Sequence, residues 1–207
     1  MSFVIALLGA ESTGKTTLAN ALAVALRGEG RHVALVTEYL REFCDAHGRT
    51  PRADEQHAIA DEQMRRISRA ADGHEFVIAD TTALMIAVYS DTVFADASLY
   101  PSAEEAHRAA CDLTLLTSLD LPWRADGLQR DGPHVREPVD ALVRASLTRG
   151  GIDYAVVAGL GESRTRAALA GIRHALTPRE AACGPSGAAR WQWVCERCGD
   201  PDCERHD

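Results

Sequence analysis

An apolar run, Phe3-Val4-Ile5-Ala6-Leu7-Leu8, leads directly into Gly9-Ala10-Glu11-Ser12-Thr13-Gly14-Lys15-Thr16-Thr17, which in turn opens a stretch with helical spacing of apolar residues. Nothing else in the 207 residues restricts the fold so tightly. A G-x-x-x-x-G-K-[ST] string between strand and helix uses its glycines to curl the backbone. Successive N–H groups then face inward, and the following helix adds its positive N-terminal end. Such a cradle suits a polyphosphate. Lys15 can reach the β- and γ-phosphates while the Thr16 hydroxyl ligates Mg²⁺. Residues 9–17 are therefore expected to grip ATP, or a related nucleotide, together with magnesium.

The rest of the chain repeats the same alternation. Segments 3–8, 32–37, 75–80, 112–117 and 152–158 are near-continuous runs of Val, Ile, Leu and Phe, as strands covered on both faces should be. Segments 16–27, 39–46, 53–71, 82–94, 104–110, 137–148 and 164–176 carry helical spacing, and Gly28, Gly30, Gly48 and Gly73 mark helix ends. Strand and helix in turn predict right-handed crossovers and an α/β fold of the P-loop NTPase kind. Its parallel sheet of about five strands would be flanked by helices in three layers, α/β/α. The expected division is a P-loop domain at 1–176 with a lid loop at 119–138, a linker at 177–190, and a Cys/His-rich tail at 191–207.

Composition narrows the partners. A formal net charge of −8 and the lack of any dense basic run argue against nucleic acid. No apolar run is long enough to cross a bilayer. The apolar start has no basic leader or small-residue cleavage site, so it reads as a buried strand and the setting as cytoplasmic. Six cysteines, with Cys44, Cys111 and Cys183 isolated and the other three crowded at the C-terminus, are few for the length and suit a reduced compartment. Of 22 basic residues only Lys15 is a lysine, and it stands in the cradle.

Ligands of open parallel sheets gather at the carboxyl ends of strands, where Glu38 and Asp80 both fall. Either could hold the magnesium shell or align an acceptor; each also precedes a helix, where an acid serves as a cap. Four segments taken together, in this order and spacing, resemble the ribosylnicotinamide kinase family, including the kinase half of bifunctional NAD-salvage proteins. They are the cradle, Glu38-Tyr39-Leu40-Arg41-Glu42-Phe43, Ile78-Ala79-Asp80-Thr81, and Leu121-Pro122-Trp123-Arg124-Ala125-Asp126-Gly127-Leu128. The likeness covers roughly residues 3–175, and its specificity rests on the second and fourth segments.

What the resemblance implies is transfer of the ATP γ-phosphate to the 5′-hydroxyl of nicotinamide riboside, giving nicotinamide mononucleotide. Glu38 would then orient or deprotonate the hydroxyl, with Asp80 on the magnesium side, although the residues themselves leave the two roles interchangeable. Arg41, one turn after Glu38, faces the same site or pairs with Glu42 or Asp45. Tyr39 and Trp123 would stack on the cationic ring or anchor loop and core. The lid would bring Arg124, Arg130 or Arg136 to the transferring phosphate. In the family an arginine follows Gly-Leu directly, whereas here Gln129 stands there and Arg130 comes next. The chain is too short for the adenylyltransferase domain of the bifunctional relatives, and Asp72-Gly73-His74 reads as a turn.

Cys195, Cys198, Cys203 and His206 have the pairing and soft ligands of a tetrahedral Zn²⁺ site, and Trp191 and Trp193 could pack such an element; the other reading is a reduced, metal-free tail. Two further functional readings stand beside the riboside kinase. One is another P-loop small-molecule or nucleoside kinase with a different acceptor pocket. The other is a nucleotide-switched ATPase that engages a partner through its C-terminal tail.

Overall fold

Five parallel strands form one sheet in a computed structural model that describes residues 2–124 and 132–177. They are β1 (Phe3–Leu8), β2 (Val33–Val36), β3 (Phe76–Asp80), β4 (Leu113–Thr117) and β5 (Tyr154–Val157), in the order β2-β3-β1-β4-β5. The helices are α1 (Lys15–Gly28), α2 (Tyr39–His47), α3 (Gln56–Ala71), α4 (Ala83–Phe94), α5 (Tyr100–Ala110), α6 (Arg136–Arg149) and α7 (Gly161–Leu176). Residues Met1–Ala175 make one compact unit; of the second, Leu176–Asp207, only Leu176 and Thr177 are described.

Side chains alternate across the pleat, so each strand feeds two cores. Ile5 and Leu7 of β1, with Phe76, Ile78 and Leu115, bury against Leu18, Leu22 and Leu26 of α1 and Leu169 and Ile172 of α7. Val4, Val77 and Ala79 turn to the other face and meet Ile67 of α3. There α3, α5 and α6 enclose α4, whose residues 83–88 are all buried. A helix apolar all round belongs in such a central position. The expected three-layer α/β/α fold is thus the observed one.

Strand order decides where chemistry can occur. β1 lies between β3 and β4, so the chain changes direction across it and a crevice opens beyond the strand ends there. Register sets Leu7 opposite Asp80 and Leu8 opposite Leu116. The turn that leaves β1 is therefore flanked by Asp80 on one side and Thr117 on the other.

Element ends differ from expectation by a few residues, with local reasons. α5 begins at Tyr100 and not at 104, because Pro101 fits a first helical turn, where its missing N–H costs nothing. The helix expected from 53 is a short 3-10 turn, Ala53–Glu55, before α3 starts at Gln56; the Glu55 carboxylate accepts the Arg52 N–H at 2.8 Å and holds that turn. α7 starts at Gly161, three residues early. The segment expected as loop to 138 is already helical from Arg136, with Pro138 again in the first turn. Gly48 ends α2 at φ +64°, the left-handed cap that glycine accepts readily.

Candidate functional site

The turn after β1 closes on itself through a small set of bonds. Gly9 has φ +144°, and a Cβ there would overlap Thr117 Oγ1 and lie 3.1 Å from the Thr117 carbonyl. Gly14 caps α1 at φ +76°. A Cβ at Gly14 would meet Leu121 Cδ1 at 2.8 Å. Ser12 also takes a positive φ, +55°. The Thr13 hydroxyl donates to the Ala10 carbonyl at 2.7 Å; Thr117 Oγ1 lies 2.7 Å from the Thr13 oxygen and 3.1 Å from the Leu8 carbonyl, and its one proton serves one or the other. Lys15 is mostly buried, and its ammonium donates to the carbonyls of Gly9 (2.8 Å) and Ala10 (3.0 Å). No acid belongs to the first turn of α1 itself; the nearest carboxylate on its positive end comes from β3.

Thr16 and Asp80 meet across the sheet. The Thr16 hydroxyl donates to Asp80 Oδ2 at 2.5 Å, while Asp80 Oδ1 is buried and has no hydrogen-bond partner among the described residues. Asp80 itself is only 3% exposed. An orphaned, buried carboxylate oxygen beside a hydroxyl is a hard-oxygen donor set of the kind magnesium takes, where one or two protein oxygens are completed by phosphate and water. The residues present fit that ion. Among the described residues no group of three or more His, Cys, Asp or Glu gathers, here or elsewhere.

On the neighbouring strand end, Glu38 stands at the N-cap position of α2 without a side-chain capping bond and pairs with Arg41 at 3.7 Å. Glu42 instead accepts the Thr37 hydroxyl at 2.5 Å and pairs with Arg66 at 2.6 Å. Burial raises the Glu42 pKa, but the Thr37 and Arg66 bonds outweigh it and hold the group below its ordinary value. Tyr39 lies under the Arg66 guanidinium, 4.3 Å from ring centroid to cation. The residue after Asp80, Thr81, is fully buried with φ +82°, a conformation that β-branched side chains rarely adopt.

The residues read as lid divide. Arg124 is exposed, and its backbone N–H donates to Ser12 Oγ at 2.8 Å, which ties the segment after β4 to the phosphate turn. Trp123 is partly buried and its indole N–H has no partner among the described residues. Arg136 is buried at the start of α6 and donates to the carbonyls of Leu121 (2.9 Å) and Leu119 (3.4 Å), so it braces the segment from beneath. Thr17 is exposed on the first turn of α1. Arg130 lies outside the described residues, as do Cys195, Cys198, Cys203 and His206 with Trp191 and Trp193.

Three residues that carry no sequence signature also shape this site. Thr117 backs the turn, as above. Arg164 of α7 is 5% exposed and donates to the Thr13 carbonyl (3.0 Å), the Gly159 carbonyl (2.9 Å) and Asp120 Oδ1 (2.7 Å). Burial pushes the Asp120 carboxyl upward, yet the Ser118 side chain, the Arg164 guanidinium and the Gly159 amide prevail and hold it at about 2. Gln63, on α3, bonds to the backbone on either side of Glu38 and just beyond Asp80. The signal for each was faint: a polar residue at a strand end, an arginine at a helix start, a glutamine in an apolar stripe.

Behind the Asp80 corner, fully buried His107 joins Thr82 to Thr114, with its two ring nitrogens each 2.8 Å from a hydroxyl. Thr82 also caps α4 by accepting the Leu84 N–H. Burial pushes the imidazole down to about 4 from its ordinary 6.5. The folded chain thus keeps it neutral while the unfolded chain takes up a proton below about pH 6.5. Stability contributed by the neutral ring is complete above that point and is lost as pH falls toward 4. Between about pH 7 and pH 4 the loss should reach about 3 kcal/mol, read by urea unfolding, and the slope should flatten in His107→Gln.

Comparison with known proteins places this geometry. The family model described as AAA domain matches residues 4–164. Among solved structures, the NadR protein in complex with NAD and AMP-PNP aligns with a TM-score of 0.68 at 20% identity, covering 84% of this chain and 49% of that one. The NadR protein in complex with NR gives 0.68 and 20%, covering 84% and 50%. Thymidylate kinase from Ehrlichia chaffeensis gives 0.60 at 14% identity, covering 83% of this chain and 98% of its own. The chain therefore spans about half the length of the NadR chains, and identities this low establish the fold alone. A search of curated proteins finds no significant match.

Proposed function

This chain belongs to the AAA domain family, and on that premise we propose that it is an ATP-dependent kinase that phosphorylates the 5′-hydroxyl of nicotinamide riboside. The observation that carries the reading is the Thr16–Asp80 pair at the lip of the phosphate turn, with one carboxylate oxygen buried and unspent. The acceptor is argued from the E-Y-L-R-E-F and P-W-R-A-D-G-L segments and from the fold shared with NadR in complex with NR.

Phosphoryl transfer needs alignment and charge neutralisation more than covalent help. Lys15 moves from the Gly9 and Ala10 carbonyls onto the β- and γ-phosphate oxygens, and the turn's N–H groups hold the remaining charge. Thr16 and Asp80 would hold magnesium, which when bound neutralises phosphate oxygens. Glu38 accepts the proton of the riboside 5′-hydroxyl as its oxygen bonds to the γ-phosphorus and the bond from that phosphorus to the bridging oxygen of ADP breaks. Arg41 orients Glu38, Tyr39 and Trp123 meet the cationic ring, and Arg124 or Arg130 meets the transferring phosphate. Arg136 braces the lid. The proposed organisation is a kinase unit at 1–176, a linker at 177–190 and a zinc-binding tail at 191–207.

A second reading is favoured by one observation: the alignment spans 98% of the thymidylate kinase chain but half of NadR, so a nucleoside or nucleotide acceptor is the alternative within the same mechanism. A coupled assay for ADP release with nicotinamide riboside and a panel of nucleosides and nucleoside monophosphates separates them. Riboside-dependent turnover supports the first reading; turnover only with a nucleoside or its monophosphate supports the second. Nucleotide binding with no acceptor phosphorylated would defeat both and leave a nucleotide switch.

A further inference from the structure

We infer that Gln63 is a positioning residue that fixes the spacing between the strand ends bearing Glu38 and Asp80; this rests on the reading that those two carboxylates serve phosphoryl transfer. Gln63 occupies the stripe Ile59, Gln63, Ile67 on the buried face of α3 and is 0% exposed. Helical spacing calls for an apolar side chain there, and a buried primary amide is costly unless every polar atom is satisfied.

It is satisfied entirely by backbone. Its Oε1 accepts the Tyr39 N–H at 2.7 Å, and its Nε2 donates to the Thr37 and Thr81 carbonyls, each at 3.3 Å. Thr37 and Tyr39 flank Glu38; Thr81 follows Asp80. The orientation of the amide is fixed by these partners, since only oxygen can meet the N–H and only NH₂ can meet two carbonyls.

The backbone ladder makes the bridge necessary. Pairing between β2 and β3 ends at Val36 opposite Ala79, one residue short of Thr37 and Asp80. Past that point Gln63 continues the connection through its side chain. It also bonds the carbonyl of Thr81, whose φ of +82° is strained for a β-branched residue and persists only where surroundings hold it. An apolar residue of the same volume would fill the stripe equally well, so the amide is explained by what it holds.

Two variants test this in the full chain. Gln63→Glu keeps the acceptor for Tyr39 N–H but sets an oxygen against two carbonyls, and Gln63→Met keeps the volume and removes all three bonds. Each is read by the Mg²⁺ concentration that half-saturates ATP binding, by metal-free ATP affinity, and by kcat and KM. The expected result is a rise of about 5–10-fold in half-saturating Mg²⁺ and a fall of about 10–100-fold in kcat. Metal-free affinity and KM for ATP should stay within about 2-fold, because the phosphate turn is untouched. Unchanged Mg²⁺ dependence in a folded variant, a parallel loss of metal-free affinity, or failure of both variants to fold would overturn the inference in favour of a packing role. Should the wild type phosphorylate no acceptor, the kinase reading falls, and the Mg²⁺ titration still decides the role of Gln63.

Discussion

Lys15→Ala should lower turnover by about 10³-fold or more while leaving the chain folded. The ammonium is the only lysine in the sequence; among the described residues Arg124 approaches the turn through its backbone, and the Arg164 guanidinium is held by Thr13, Gly159 and Asp120. An arginine at position 15 would not restore it, because a planar fork does not fit a point-charge site. The cost to folding is separable. Two bonds to the Gly9 and Ala10 carbonyls are lost, worth about 1–2 kcal/mol, or a melting shift of about 2–8 °C for a chain this long. Turnover and calorimetric melting on the same preparation check both parts. Near-normal turnover would remove Lys15 from the reaction.

Gly9→Ala should be the most damaging small substitution in the phosphate turn. Two costs add. The φ of +144° is a conformation that L side chains rarely adopt, and the new methyl would overlap Thr117 Oγ1. Strain and overlap together are expected to cost about 3–5 kcal/mol and to lower the melting midpoint by about 10 °C. ATP affinity should fall with it, since the N–H groups that face the phosphates share that backbone. The double variant Gly9→Ala with Thr117→Ala relieves the overlap with the hydroxyl but not the φ, so it should recover about half of the lost stability. Absence of any recovery would show that Thr117 does not wall the turn as described.

Both variants turn on a feature that the sequence displayed only in part. The turn of residues 9–17 was legible because its chemistry is local: glycine, lysine and hydroxyl at fixed spacing between a strand and a helix. The five strands and seven helices of the described residues were legible from apolar periodicity, and Glu38 and Asp80 followed as acids at strand ends. Strand order was not, because apolar runs of similar composition can pair in several orders. Yet the order β2-β3-β1-β4-β5 is what brings Asp80 to Thr16 and Thr117 to Gly9.

Gln63, Thr117 and Arg164 reach partners as far as 26, 109 and 151 residues away, and these partners are mostly backbone atoms, which leave no pattern in side-chain types. Thr117 sits in Leu-Thr-Leu-Leu-Thr, a string that reads only as a strand. Gln63 could have been suspected as a polar residue in the Ile59 and Ile67 stripe. Arg136, expected at the transferring phosphate, donates through its two terminal nitrogens to the Leu121 and Leu119 carbonyls, contacts that no side-chain pattern announces.

The central claim is that the turn after β1, with Asp80 at its side, holds a magnesium-bound triphosphate. Isothermal titration of the intact chain with ATP, with and without Mg²⁺, measures it directly. The account predicts one site per chain whose affinity rises at least about 10-fold when Mg²⁺ is present, with that gain lost in Asp80→Asn. Failure to bind any nucleoside triphosphate with Mg²⁺ supplied, or an Mg²⁺ gain that survives in Asp80→Asn, would contradict it.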